Sequence, residues 1–251
     1  MSDEPPVRLH CFARSGEGVS VFDGWAARVG PGVEPVPVRV PPSTAPHPVH
    51  PVHPAGPVSR AEPLLAQVLP RITAARGGCF VLYGHGLGAM IALTVTRALH
   101  EAGLPGPALL AVGACPPPRA LPDARRATDA ELLHLFAGAT VPPASDEGIF
   151  LRAMLPVLRA DLQLAQDLTE KARAPLAPGP LTTPVLVIAA PRGPLAGPAA
   201  SGWRQVTRGP VRSRTVPGHH VFARGGGELP RLLGRACRVA RRLTPQPAPI
   251  G

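Results

Sequence analysis

One stretch, Cys79-Phe80-Val81-Leu82-Tyr83 followed by Gly84-His85-Gly86-Leu87-Gly88, constrains this chain more than any other. A compact apolar run ends in a turn studded with glycine. It leads straight into Ala89 to Ala102, periodic in apolar residues and closed by Gly103. The run reads as a buried strand and the periodic stretch as a long helix. Small flanking residues are what a tight strand-to-helix turn requires when its central residue is strained and its side chain stands exposed. Gly86 occupies that centre, so nothing chemical projects from it.

The rest of the chain supplies more strands and helices in alternation. Val7 to Phe12 reads as a strand running into a loop with Gly16 and Gly18. A helix is expected from near Ser20, carrying Trp25 to Val29. Val33 to Val40 interleaves valine with proline and reads as an edge strand. Residues 41–58 form a proline- and histidine-rich, polyproline-like loop. Helix is expected over 60–75, strand over 107–112, and mostly helix over 116–180, clearest at 131–137 and 149–171. Strands at 185–190 and 213–216 and a helix at 228–243 follow; residues 245–251 read as frayed. Alternating strands and helices imply one α/β domain over 1–251 with a mostly parallel sheet. The 116–180 stretch breaks the rhythm and reads as an insertion over the sheet's carboxyl edge, where such sheets bind ligands.

Composition narrows the function classes. No run of eighteen apolar residues is present, so no membrane span is expected. The opening residues lack a basic stretch followed by an apolar one, which implies a cytoplasmic protein. The four cysteines, Cys11, Cys79, Cys115 and Cys237, are far apart and form no Cys-x-x-Cys pair. Buried reduced thiols are expected rather than disulfides or zinc. Of 26 basic residues only Lys171 is lysine, and the formal charge is +10. That arginine bias, with abundant Ala, Pro and Gly, fits a GC-rich genome such as an actinomycete's. The arginines are scattered and aromatics make up only 4%, a poor basis for nucleic-acid binding. A positive surface still suits an acidic protein or a phosphate-bearing ligand. His47, His50 and His53 recur every third residue, which aligns them on one edge of a polyproline helix. A solvated loop is the expectation there over a weak metal site.

In order and spacing, several motifs together resemble the type II thioesterases, free-standing α/β-hydrolases of polyketide and nonribosomal peptide assembly lines. His10-Cys11-Phe12 with its glycine-containing loop resembles the family's first strand and oxyanion loop. Tyr83-Gly84-His85-Gly86-Leu87-Gly88-Ala89 resembles the family's Gly-His-Ser-Met-Gly-Ala nucleophile elbow. Leu155-Pro156-Val157-Leu158-Arg159-Ala160-Asp161 resembles a lid-helix motif. Trp203-Arg204 through Gly209-Pro210, then Pro217-Gly218-His219-His220-Val221-Phe222, resembles the closing segment. The resemblance runs from about residue 7 to 235 and implies an α/β-hydrolase fold with a helical lid.

The departures bear directly on chemistry. By this resemblance the nucleophile serine falls on Gly86. The acid falls in Pro191-Arg192-Gly193-Pro194, at Gly193, where no carboxylate stands. The alternative acid site of related integrated thioesterase domains falls in Gly113-Ala114-Cys115-Pro116, again without a carboxylate. His220, at the position of the catalytic base, is the one triad member retained. The resemblance assigns oxyanion donors to the backbone amides near Ala13 and Leu87, which require no particular side chain. Ser15 and His85 are further pocket candidates, with His85 expected to be structural. His219 reads as solvated, and Arg159 and Asp161 as structural.

Three functions compete. The first is a repurposed enzyme using no cofactor, in which His220 moves a proton during cyclisation, dehydration, isomerisation or direct water attack on an acyl or polyketide intermediate. Its partner would be an acyl carrier protein bearing a phosphopantetheine arm, or a free small molecule. The second is a carrier- or product-binding protein without catalysis. The third is thioester hydrolysis through an unorthodox nucleophile such as Cys115.

Overall fold

The computed structural model describes residues 4–13, 18–40, 61–74, 78–120, 126, 128–132, 149, 152–173, 176–189, 197–217 and 226–244. Among these residues six strands form one sheet: β1 (Val7–Phe12), β2 (Val33–Val38), β3 (Phe80–His85), β4 (Leu109–Gly113), β5 (Val185–Ala189) and β6 (Val211–Thr215). Their spatial order is β2-β1-β3-β4-β5-β6, and every pairing is parallel. The α/β-hydrolase fold expected from the motifs is the fold observed.

The sequence dictates which strands are central. Parallel strands are covered on both faces and so run continuously apolar. Every residue of β4 and of β5 is buried. β2 carries Pro35 and Pro37, opposite Leu9 and Cys11 of β1. Prolines at alternate positions remove donors on one side of a strand only, which an edge accommodates.

Four helices clothe the sheet among the described residues: α1 (Ala61–Thr73), α2 (Leu87–Glu101), α3 (Leu155–Arg173) and α4 (Glu228–Leu243). On one face α1 and α2 pack over Phe12, Leu82, Leu110 and Val187, joined by Leu164, Leu168 and Trp203. α2 is apolar nearly all round and buried from Leu87 to Arg97, because α3 packs on it from outside. On the other face α4 sets Leu229, Leu233 and Cys237 against Leu9, Val81, Tyr83 and Ala111.

Residues 19–29 differ from the sequence expectation. In place of a helix there is a 3-10 turn, Val19–Phe22, followed by open turns around Trp25. Gly24 adopts φ 74°, which interrupts helical geometry, and the Trp25 carbonyl accepts from the amides of Arg28 and Val29. The segment still buries Phe22, Trp25 and Val29, so its apolar spacing served anchoring rather than a helix. Within 116–180, a 3-10 turn at Pro118–Ala120 and α3 are described. A short helical piece at 129–132 is capped by Thr128, whose amide and hydroxyl donate to Glu131 Oε2 at 2.7 and 2.9 Å. Arg159 of α3 pairs with Asp129 at 2.7 Å, while Asp161 is buried. Most of the 131–137 helix and the 41–58 loop, with His47, His50 and His53, lie outside the described residues.

The connections fix where a ligand can enter. From β1 the chain moves outward to β2, then returns to β3 on β1's other side and proceeds to β4. That reversal opens a crevice beyond the carboxyl ends of β1 and β3.

β1 also buries a histidine. His10 is 2% exposed, meets the Phe80 ring edge to face at 6.0 Å, and has no hydrogen-bond partner for Nε2. Burial, assisted by the charge of Arg8, lowers the imidazole from 6.5 to about 4. Above pH 6.5 both folded and unfolded chains hold it neutral. As pH falls from 6.5 towards 4 the unfolded chain takes the proton first, so stability drops through that window. The loss attributable to His10 should reach roughly 3 kcal/mol. Urea unfolding near neutral pH and near pH 4 should show a smaller pH dependence in His10→Leu than in the parent.

Candidate functional site

The crevice is built from three strand ends. β3 delivers Gly84 and His85, the turn residue Gly86 follows, and α2 begins at Leu87. Gly86 has φ 56° and ψ −123°, a region that side chains other than glycine's rarely occupy. Its amide donates to the Gly113 carbonyl at 2.8 Å, tying the turn to β4, and its carbonyl accepts from Ala89 at 3.0 Å. Gly86 is partly exposed, whereas residues 81–85 and 87–90 are all buried. The turn therefore reaches the surface at one residue, and that residue is glycine.

The two flanking glycines are required by close packing. A Cβ on Gly84 would lie 2.1 Å from the Gly88 carbonyl oxygen. A Cβ on Gly88 would lie 2.1 Å from the Phe12 carbonyl oxygen. The end of β1 thus lies directly on the first turn of α2; Ala13 follows the one and Leu87 opens the other. Both residues are buried, at 5% and 4% exposure. Leu87 stands in the first turn of α2, where backbone N–H groups lack helical acceptors and the helix dipole favours negative charge. Backbone donors of this kind act without any particular side chain.

His85 lies beneath the turn. It is 3% exposed, and its Nδ1 is 3.2 Å from the Tyr83 hydroxyl. Tyr83 packs in turn on Trp25 and Phe22, with ring centroids 5.7 and 6.4 Å away. Gly113 makes room for the pair: a Cβ there would meet the Tyr83 hydroxyl at 3.1 Å and His85 Nδ1 at 3.3 Å. This Tyr83–His85 contact braces the carboxyl ends of β3 and β4, a role not evident from sequence separation alone. Ala114, just past β4, takes a left-handed φ of 49°.

Cys115 follows Ala114 and is 3% exposed, with its thiol 3.4 Å from the Pro116 carbonyl oxygen. Burial pushes the thiol up to about 12. A thiol held neutral in apolar surroundings is a poor nucleophile, so the geometry turns away from Cys115 as a substitute for serine. Cys11 and Cys237 are likewise buried and shifted upward, while Cys79 is half-buried. Ser15, Gly193, His219 and His220 lie outside the described residues. Of the site residues expected from sequence, Ala13, His85, Gly86 and Leu87 lie among the described residues, the last three consecutive in the turn from β3 into α2.

A parallel sheet with a strained turn from its third strand into a buried helix, at the switch in strand order, defines an α/β-hydrolase-fold protein. The family model for the thioesterase domain matches residues 7–237, and the chain belongs to that family. It is 29% identical over 231 residues to thioesterase PikA5 of Streptomyces venezuelae, covering 86% of this chain and 75% of that protein. It is 28% identical over 222 residues to a probable cadicidin biosynthesis thioesterase of Streptomyces griseus, covering 86% of this chain and 58% of that protein. Among solved structures it resembles RedJ, a thioesterase from the prodiginine pathway of Streptomyces coelicolor. That match has a TM-score of 0.67 at 29% identity over 93% of this chain and 90% of RedJ. The type II thioesterase YbtT of the yersiniabactin pathway shares the fold at a TM-score of 0.62 and 22% identity, over 95% and 92% of the two chains.

Two outcomes follow from this geometry. Gly88→Ala forces a methyl into the Phe12 carbonyl and should destabilise the protein by about 3 kcal/mol or more in urea unfolding. Gly78→Ala, where a Cβ meets nothing within 4 Å, should stay within about 0.5 kcal/mol of the parent. Intact-mass analysis after iodoacetamide treatment of the native protein at neutral pH should find Cys115 unmodified.

Proposed function

We propose that this chain acts in polyketide or nonribosomal peptide biosynthesis on acyl intermediates carried by a phosphopantetheine arm, and that it does so without forming an acyl-enzyme. The observation that carries this reading is Gly86 at the exposed centre of the turn, with φ 56° and ψ −123°. A backbone in that conformation serves to present a side chain, and here none is present. Membership of the thioesterase family and the likeness to PikA5 and RedJ support the pathway and the carrier-bound substrate.

Without a serine, the attacking group comes from water or from the substrate itself. For water, the oxygen adds to the thioester carbonyl while His220 takes a proton. The amides of Ala13 and Leu87 hold the resulting oxyanion. Collapse breaks the carbon–sulfur bond, and the proton on His220 passes to the departing thiolate. A hydroxyl of the substrate attacking in the same way gives a ring in place of a free acid. By the family resemblance Gly193 takes the acid's position, and in this reading His220 acts as a base of modest strength. Ser15 belongs to the same loop as Ala13 and lines the entrance in this reading. In this reading part of the 116–180 insertion covers the crevice, and the reaction takes place in the cytoplasm with no cofactor.

A second reading rests on the same glycine: a binding protein that holds a carrier or product without catalysis. One experiment separates the two. The parent, His220→Ala and Gly86→Ser are each incubated with an acyl N-acetylcysteamine thioester and followed by product and intact-mass analysis. The first reading expects turnover by the parent with no covalent adduct, and a loss of at least about 10²-fold in His220→Ala. Gly86→Ser should gain a mass shift equal to the acyl group. An acyl adduct on the parent overturns the non-covalent reading. Equal rates for parent and His220→Ala, at or below the background, favour the binding protein.

A further inference from the structure

Away from the crevice, four arginines from four parts of the fold converge on one cavity of about 390 Å³. Arg97 comes from α2, Arg119 from the 3-10 turn Pro118–Ala120, Arg173 from the end of α3, and Arg208 from the segment leading to β6. Gln205 adds an uncharged polar group, and among the described residues none lining the cavity is acidic. Arg97 is 9% exposed and donates to the Lys171 carbonyl at 3.4 Å; Arg173 donates to the Pro118 carbonyl at 3.5 Å. These bonds hold two guanidinium groups at the wall by their backbone contacts. Arg119, Arg173 and Arg208 are exposed.

Such a gathering is electrostatically unfavourable by itself. Guanidinium stays charged at any physiological pH, and like charges around one cavity repel, less at the exposed Arg119, Arg173 and Arg208 than at the buried Arg97. Glu101 acts on Arg97 from one turn further along α2, which offsets part of the charge at one of the four. The remaining positive field is directed into a concave space whose volume lies in the range of small-ligand sites. Planar forks of N–H donors match the oxygens of phosphate groups in paired contacts. Several such forks around one cavity suit a ligand with more than one phosphate group.

We infer that this four-arginine cavity is a binding site for a small molecule bearing a diphosphate group, separate from the crevice at Gly86. Arg97 lies ten residues beyond Leu87 on α2, so the cavity sits about 15 Å along the helix from the turn. Ligand binding there ties the end of α3 to α2 and to the 3-10 turn after β4, and so stiffens the scaffold behind the crevice. The chemistry is shared by inorganic pyrophosphate, a nucleoside diphosphate and coenzyme A.

Isothermal titration of the full chain with pyrophosphate, ADP and coenzyme A tests the site, with sodium chloride at matched ionic strength as the control. The expected result is saturable binding of pyrophosphate, weakened at least tenfold in the double variant Arg119→Ala/Arg208→Ala. Both substitutions are at exposed positions, and thermal unfolding verifies that the variant is folded. A tighter constant for coenzyme A or ADP supports the site and assigns its natural source to that carrier of the diphosphate. Heat no greater than with chloride, or equal binding by the double variant, overturns the inference.

Discussion

The contact on which the rest of the site depends is backbone against backbone: the start of α2 resting on the end of β1. Gly88 lets the Phe12 carbonyl approach, and Gly84 lets the first turn of α2 fold back on β3. With these two in place, the strand ends and the helix N-terminus form a single rigid corner. The amide of Gly86 then reaches the carbonyl of Gly113 and fixes that corner to β4. The site is thus a property of the main chain first, which explains how its shape persists around a residue with no side chain.

That separation of shape from chemistry is the physical content of this thioesterase-family member. The anchoring glycines are required by contact distance, and the Tyr83–His85 contact is buried below the turn. None of these elements needs the residue at the centre of the elbow to be reactive. A strained glycine there is less costly than a strained serine, since positive φ is readily adopted without a Cβ. A glycine at this position is therefore compatible with the same corner of strand ends and helix N-terminus.

Much of the architecture was legible in the sequence because its signals are local. Continuous apolar runs at 81–83, 109–112 and 185–189 mark central parallel strands, and the valine–proline alternation of β2 marks an edge. The turn at Gly84–Gly88 announces itself by glycine spacing. Residues 19–29 misled because burial of Phe22, Trp25 and Val29 mimics a helical stripe, while Gly24 denies the helix. Burial of Cys115 was expected with that of the other cysteines, but its contact with Trp203, whose indole donates to the Cys115 carbonyl at 3.3 Å, was not, because the two are far apart in sequence. The arginine cavity was hidden for the same reason: its four members are scattered from Arg97 to Arg208 and meet only through the fold.

The two borders of the sheet have a consequence for the protein in a crowded solution. An open strand border is a template on which another chain can continue the ladder. At β2 the donors missing from Pro35 and Pro37 interrupt any such continuation, and at β6 the exposed Arg212 and Arg214 would face the same charges on an incoming copy. A chain with a quarter of its residues proline or glycine, and a wholly parallel sheet slow to assemble, has reason to keep both borders closed. Sheet-to-sheet growth is thereby blocked at each end, by absent hydrogen-bond donors on one side and by charge on the other.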